Sequence, residues 1–499
     1  MEQKMVDWNA GWCGLRALFG WLALGVGLLV AAIPMAVSAP MPDPPPATAT
    51  TQQASFFWRT VAAKPDLRAT LLRRHFSAAL RERQGEEALL QTFATLAEVL
   101  GSGMAALVPT LVSAEGADSE LHYTLTDGRR VALTLTLSQE DPPRIERFGV
   151  RPLPPEVTAV PVADLPPAIA ARVKSEFEAG RFSGAVLVAR GKDVIQAQAV
   201  GWADRETKRA NTLDTPINLG SINKMFTAIA IAQLEAAGKL DWQDTVGRHL
   251  PDFPNAAIRD QVTIHQLLTH TSGVGSYWND AHEARKHALD SQQGFLETFV
   301  DQPLLFAPGA GIEYSNGGPV ILGLIIEAIS GLDYYSYVRK HIYRPAGMAS
   351  ADHYRRDDRN AGVAIGYIRQ EDGAWRENTS ELSLRGSAAG GGYASARDLL
   401  AFSRALDDGR LLPRQALETL WKPYIQPGPL GYGYLFSVGN LSGHRFVGHN
   451  GGAPGISAEF LHYPDDGVAI IVLANQDNAA EAMREWLQAL VEASLFADP

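Results

Sequence analysis

Gly220-Ser221-Ile222-Asn223-Lys224-Met225-Phe226-Thr227-Ala228-Ile229-Ala230-Ile231-Ala232-Gln233-Leu234-Glu235-Ala236-Ala237 is the stretch whose reading decides the fold. From Met225 to Ala237 it is apolar nearly all the way round, and a helix apolar on every face is a buried one. Ser221 then stands at the N-terminus of that helix, with Lys224 one turn later on the same face. A hydroxyl and an amine share a desolvated site. Desolvation lowers a lysine pKa, so neutral amine becomes available to help take the serine proton. The positive end of the helix favours developing negative charge. Taken alone, Ser-x-x-Lys reads equally well as a serine N-cap followed by an unrelated lysine.

Working outward, a helix is expected over about Leu165 to Ala179. Strands follow at Gly184 to Arg190 and Val194 to Gly201. Beyond the Ser221 helix the chain is mostly helical from Leu250 to about Ala346. Strand patterns return at Phe446 to His449, Ile456 to Tyr463 and Val468 to Ala474, and an amphipathic helix closes the chain over about Asn478 to Leu495. Strands at both ends with helices inserted between them imply one antiparallel sheet built from the two ends, beside a helical lobe. The junction of two such lobes is where a site is expected.

Two further elements bear on Ser221. Tyr314-Ser315-Asn316 follows Phe306-Ala307-Pro308-Gly309 and precedes the apolar helix Val320 to Ile329. A tyrosine near a lysine can lose its proton more easily and serve as general base. Asn316 can hold the lysine or a substrate amide. Tyr277-Trp278-Asn279 has the same spelling but reads as part of a polar loop after His270-Thr271-Ser272-Gly273, with no buried helix behind it, so Tyr314 is preferred. The other element is Gly448-His449-Asn450-Gly451-Gly452-Ala453-Pro454-Gly455, between two strands. Glycines there let backbone approach a ligand, and a strand-edge N–H can form half of an oxyanion hole. His449 alone reads as a surface or packed histidine.

In this order, Ser-x-x-Lys, Tyr-x-Asn and His-x-Gly resemble the serine β-lactamase and penicillin-binding-protein family, class C branch. Leu267 to Gly273, Phe306 to Gly323 and Gly390 to Ser395 add to the likeness, which covers about Leu165 to Leu495. The resemblance implies an α/β sandwich beside an all-α lobe, an acyl-serine intermediate, and no metal or other cofactor. It implies Ser221 as nucleophile, Lys224 and Tyr314 as the proton-handling pair, and Asn316 as their neighbour. The backbone N–H groups of Ser221 and Gly452 would form the oxyanion hole, with Asn316, His449, Gly451 and Gly452 contacting substrate. β-Lactamases carry Lys-Thr-Gly where this chain has His449-Asn450-Gly451. Histidine there is a feature of the family's esterases and peptidases. The resemblance therefore implies a small-molecule ester or a D-amino-acid-containing peptide as substrate. The alternatives are a β-lactamase, or a non-catalytic penicillin-binding or sensor protein that keeps the serine for ligand capture. Other motifs fail: there is no Gly-x-Ser-x-Gly, and His282 to His287 has one residue too many for a zincin.

The 499 residues suffice for two or three domains. A formal charge of −11 without a basic run argues against a nucleic-acid partner. The one cysteine, Cys13, lies in the N-terminal apolar region, which leaves no thiol nucleophile or cysteine-ligated zinc downstream. Ala17 to Ile33 is apolar, follows Arg16 and leads to Ala36-Val37-Ser38-Ala39. Residues 1–39 therefore read as a signal peptide cut after Ser38 or as a membrane anchor, and either exports the rest. Residues 40–54 read as a Pro-, Ala- and Thr-rich linker. Residues 55–155 read as a small α+β accessory domain. It has helical spacing over Phe56 to Val99 and strands at Leu121 to Leu125, Val131 to Leu137 and Ile145 to Val150, with Asp127-Gly128 as a hairpin turn. Its element order resembles the nuclear-transport-factor-2-like accessory domains. Residues 156–499 form the larger domain, so the expected class is α+β.

Overall fold

The computed structural model describes residues 47–496, apart from 101–109, 116–117, 126–128, 154, 359–361, 371, 427–429 and 442. The apolar segment Ala17 to Ile33 and the Asp127-Gly128 turn lie outside the described residues. The described residues form two compact units, one ending at Glu156 and the other starting at Val157.

In the first unit, helices α1 (Ala47–Ala62), α2 (Pro65–His75), α3 (Ala78–Gln84) and α4 (Glu86–Leu100) precede four strands. These are β1 (Thr110–Glu115), β2 (Asp118–Thr124), β3 (Arg130–Leu137) and β4 (Ile145–Leu153), paired antiparallel in sequence order. Phe57, Phe76 and Phe93 meet Phe148 of β4, with centroids 5.1 to 6.0 Å apart, so an aromatic cluster joins helices to sheet. Residues 47–54, expected in a linker, are instead the first half of α1. Tertiary partners override their composition. Ala54 is fully buried, Gln53 Nε2 donates to the Pro143 carbonyl (2.8 Å), and Thr50 meets the Ser119 hydroxyl (3.4 Å). Strand β1 was not foreseen, because Ser113 and Glu115 break its apolar pattern.

The second unit is built on a seven-stranded antiparallel sheet. In chain order its main elements are α5 (Leu165–Glu178), β5 (Gly184–Arg190), β6 (Asp193–Val200), α6 (Asn223–Ala236), α7 (Gly317–Ser330), α8 (Ala396–Asp407), β7 (Leu430–Tyr432), β8 (Ser437–Leu441), β9 (His444–Ala453), β10 (Ile456–Tyr463), β11 (Val468–Ala474) and α9 (Ala479–Val491). The strand order is β7-β8-β9-β10-β11-β5-β6, so the early and late strands of this unit meet at the β11–β5 pair. Alternation assigns the faces. Val186, Val188, Ile470 and Val472 pack with Leu165, Ile169, Met483 and Leu487 of α5 and α9. The other face receives α8, where Phe402 meets Phe460 of β10 at 5.7 Å. Short helices between Val246 and Ala346 make the helical lobe. This is an antiparallel sheet flanked by helices beside an all-α lobe, as the resemblance implies.

Strands β7 and β8 escaped the sequence reading because glycines interrupt them. Gly439 is required there: a Cβ would stand 2.2 Å from the Phe446 ring. Helix α6 is buried over Asn223 to Ala232 and at Leu234, which accords with its unbroken apolar surface.

Candidate active site

Ser221 occupies a single 3-10 turn, Gly220–Ile222, that leads into α6, so it stands just outside the helix proper. Three hydrogen bonds place the turn. Gly220 N–H donates to Asn218 Oδ1 (2.9 Å), Leu219 N–H to the Gly392 carbonyl (2.8 Å), and Gly391 N–H to the Gly220 carbonyl (3.3 Å). Strand β9 pairs with β8 only as far as Gly448, and the turn packs against the edge that continues beyond it. This approach needs glycine. A Cβ on Gly451 would lie 1.8 Å from the Leu219 carbonyl oxygen, and one on Gly220, whose φ is +50°, would lie 2.7 Å from Gly452 N. Ser221 and Gly452 are thereby neighbours, and both line the cleft.

Lys224 is 0% exposed. Its Nζ lies 2.7 Å from Asn316 Oδ1, 2.7 Å from the Ala389 carbonyl and 3.0 Å from Ser221 Oγ. The first two partners only accept hydrogen bonds. They take both N–H groups of a neutral amine and leave its lone pair directed at the Ser221 hydroxyl. Burial pulls the Lys224 pKa well below its ordinary value, which supplies that neutral amine. The Ala389 carbonyl is held in turn from within α6. Asn223 Nδ2 donates to the Ser387 carbonyl (3.1 Å), and the Thr227 hydroxyl to the Ala388 carbonyl (2.7 Å).

Tyr314 is buried, with its ring centroid 4.7 Å from Lys224 Nζ. Burial raises its pKa, and the neighbouring Ser221 hydroxyl offsets this only in part. The sequence expectation of an easily lost phenol proton is therefore reversed. It assumed an ammonium beside the ring, whereas burial disfavours that charged form of Lys224.

His449 does not line the cleft. It is 2% exposed and lies behind Tyr314 in a closed chain of hydrogen bonds. The Ser315 N–H donates to His270 Nδ1 (3.1 Å), which leaves His270 Nε2–H to donate to Tyr432 Oη (3.1 Å). Tyr432 O–H then donates to His449 Nε2 (3.1 Å), and His449 Nδ1–H to the Asn450 carbonyl (2.5 Å). Each hydrogen has one place, and both imidazoles are neutral. Burial pushes His449 down to about 3 and His270 well below its ordinary value. A direct substrate contact from the His449 side chain is thus corrected to a place in the wall behind Tyr314.

The cleft spans ≈ 970 Å³ of empty space, part of it open solvent. Ser221, Tyr314, Asn316 and Gly452 line it, Lys224 lies beneath it, and Gly451 is pressed against the Ser221 turn. Tyr277 also lines it and is buried, packing on Phe295 at 5.0 Å; burial pushes its phenol up to about 12. The sequence reading placed Tyr277 in a polar loop. The aromatic run Tyr277-Trp278 was the signal that could have corrected it. Arg356 and Arg385 on the same cleft were missed outright. His282 is buried against the Ser383 hydroxyl (3.0 Å) while His287 is exposed, so this pair does not converge.

The family model described as Beta-lactamase matches residues 168–494. Penicillin-binding protein 4* of Bacillus subtilis is 31% identical over 341 residues, which is 64% of this chain and 74% of that protein. Esterase EstB of Burkholderia gladioli is 36% identical over 202 residues, 36% of this chain and 50% of the esterase. The solved structure of a penicillin-binding protein from Bacillus halodurans superposes with a TM-score of 0.59 at 31% identity, covering 64% of this chain and 98% of that one.

Proposed function

The chain belongs to the beta-lactamase family, and from that premise we propose that it is a serine hydrolase working through an acyl-serine intermediate on an ester or a small D-amino-acid-containing peptide. The observation that carries this is the set of partners of Lys224 Nζ: two acceptors and the Ser221 hydroxyl, in a fully buried site.

Ser221 Oγ attacks the substrate carbonyl as its proton passes to the Lys224 lone pair. The N–H groups of Ser221 and Gly452 receive the oxyanion. Tyr314, a phenol beside Ser221, gives its proton to the leaving group and recovers one from the Lys224 ammonium. Water then attacks the acyl-serine carbonyl as its proton passes, relayed by the Tyr314 hydroxyl, to the Lys224 lone pair; the Lys224 ammonium returns that proton to Ser221 Oγ as the acyl C–O bond breaks and the acid departs. Asn316 keeps Lys224 aimed throughout.

An ester or small peptide is favoured over a β-lactam because the position that carries lysine in β-lactamases is here His449, neutral and buried. That part of the wall offers no cation to a substrate carboxylate. The relative named as an esterase points the same way. A fluorophosphonate probe should label Ser221, and Ser221→Ala should abolish labelling. kcat/KM for p-nitrophenyl butyrate should exceed that for nitrocefin; the opposite order overturns the ester reading. Labelling without turnover on ester, peptide or β-lactam marks a ligand-capturing protein instead. The run Ala17 to Ile33 supports export, and mature protein starting near Ala39 outside the cytoplasm is the expected result.

A further inference from the structure

The described residues lining the cleft include two arginines, Arg356 and Arg385, and no aspartate or glutamate. This contrasts with a chain of net charge −11. Lys224 Nζ is enclosed beneath the cleft by three partners, so the two guanidinium groups are the standing charge on its lining. They are neighbours in the fold, since Arg356 N–H donates to the carbonyl of Leu384, the residue before Arg385 (2.8 Å).

Uncharged partners hold both head groups. Arg385 Nε donates to the His353 carbonyl (2.8 Å), and its guanidinium lies 3.6 Å over the Tyr335 ring. Arg356 Nη1 donates to the Thr379 and Leu382 carbonyls (2.7 and 3.0 Å) and meets His287 Nδ1 (2.7 Å). Among the described residues neither arginine has an ion-pair partner. Nearby acids are engaged elsewhere: Asp290 and Asp357 with Arg355 (2.8 and 3.0 Å), Asp352 with Arg339 (2.8 Å), and Glu381 with Arg376 (2.8 Å). Asp333, which feels the Arg385 charge, accepts the Ser336 N–H (2.9 Å). A guanidinium carries five donors in a rigid fork. Among the described residues both Nη groups of Arg385 and Nη2 of Arg356 make no hydrogen bond, which leaves N–H donors for a ligand. Arg385 is also four residues from Ala389, whose carbonyl holds Lys224, and four residues span at most about 14 Å. A group held at Arg385 lies a short chain away from Ser221.

We propose that Arg356 and Arg385 form an anion subsite that takes a free carboxylate of the substrate, remote from the carbonyl attacked by Ser221. This rests on the acyl-serine reading and narrows its substrate class to half-esters or peptides that carry a carboxylate. The strand wall at His449 has no part in it. A short neutral ester leaves the subsite empty.

The test is equilibrium binding to the Ser221→Ala protein, which needs no turnover. N-phenyl glutaramate carries its carboxylate on the acyl side, 4-acetamidobenzoate carries it on the leaving side, and valeranilide carries none. One of the two carboxylates should bind about tenfold or more tightly than valeranilide, as expected for a charge-assisted pair. That preference should collapse in Arg385→Gln, and should shrink as salt rises from ~0.05 to ~0.5 M. Arg356 also ties down three other groups, so Arg356→Lys, which keeps the charge but loses the fork, is the variant used there. It should give an intermediate preference. If Arg385→Gln does not fold, the salt titration and Arg385→Lys decide. Equal binding of all three probes, a preference unmoved by Arg385→Gln or by salt, or inorganic phosphate competing as well as glutarate would each overturn the proposal. The fluorophosphonate result is independent of these measurements, so the two readings can fail separately.

Discussion

Tyr314 stands between two buried basic clusters that treat protons in opposite ways. On one side, Lys224 gives both its N–H groups to carbonyl-type acceptors and keeps a lone pair for Ser221. On the other, His270, Tyr432 and His449 form a chain in which each hydrogen is already placed. Both clusters are desolvated, and in both the charged form is disfavoured. The difference lies in what the neighbours accept. An incomplete set of donors around Lys224 leaves a reactive base. A complete set around His449 leaves a rigid backing for the Tyr314 ring, whose centroid is 6.4 Å from the His449 ring.

The largest effect should come from removing the reactive side. Lys224→Met replaces the buried amine with an apolar chain of similar length, so acylation by p-nitrophenyl butyrate should fall by ~3 powers of ten or more. Melting should hold or rise, because a buried amine is costly. Stopped-flow acylation together with calorimetry checks both, and a variant that acylates at more than about a tenth of the wild-type rate would remove Lys224 from the proton path.

Next in size is Gly451→Ala. The new Cβ meets the Leu219 carbonyl at 1.8 Å, so the strand and the Ser221 turn must separate. Losing one oxyanion donor predicts a drop of roughly 10²- to 10³-fold in kcat, with labelling of Ser221 slowed alongside.

Tyr432→Phe tests the backing side. It leaves His449 Nε2 and His270 Nε2 without their shared partner, a cost of about 1–3 kcal/mol for each buried group. Melting should fall by several degrees, while kcat falls far less than in Lys224→Met. Equal kinetic losses in the two variants would erase the distinction between the clusters.

The smallest effect is in pH dependence. His449 has a folded pKa of about 3, below its unfolded value of about 6.5. Between these values the unfolded chain binds the additional proton, so stability is retained above about 6.5 and is lost as pH falls toward 3. One such group contributes roughly 1 kcal/mol per pH unit in that window. His449→Gln should flatten the dependence of Tm on pH between ~6 and ~4, and an unchanged slope would place the acid sensitivity in other buried histidines, such as His353, also pushed down to about 3.

How much of this was legible in the sequence follows the range of the forces involved. The Ser221–Lys224 pair and its buried helix were readable because helical periodicity is local. Three residues along an apolar run place hydroxyl and amine together whatever the rest does. Two strands of the sheet centre, β5 and β11, announced themselves through continuous apolar stretches. Edge strands β7 and β8 did not, because glycines that admit a neighbour's ring carry no pattern of their own.

The sequence alone thus determined the fold class, the buried serine–lysine turn and the glycines of the strand that meets it. Tertiary structure decided the rest. It turned His449 away from the cleft and brought Tyr277 into it. It raised the Tyr314 pKa against the expectation from its motif, and it set Arg356 beside Arg385 on one wall. Those outcomes depend on burial and on hydrogen bonds between residues far apart in the chain, and neither is encoded in the spacing of any single segment.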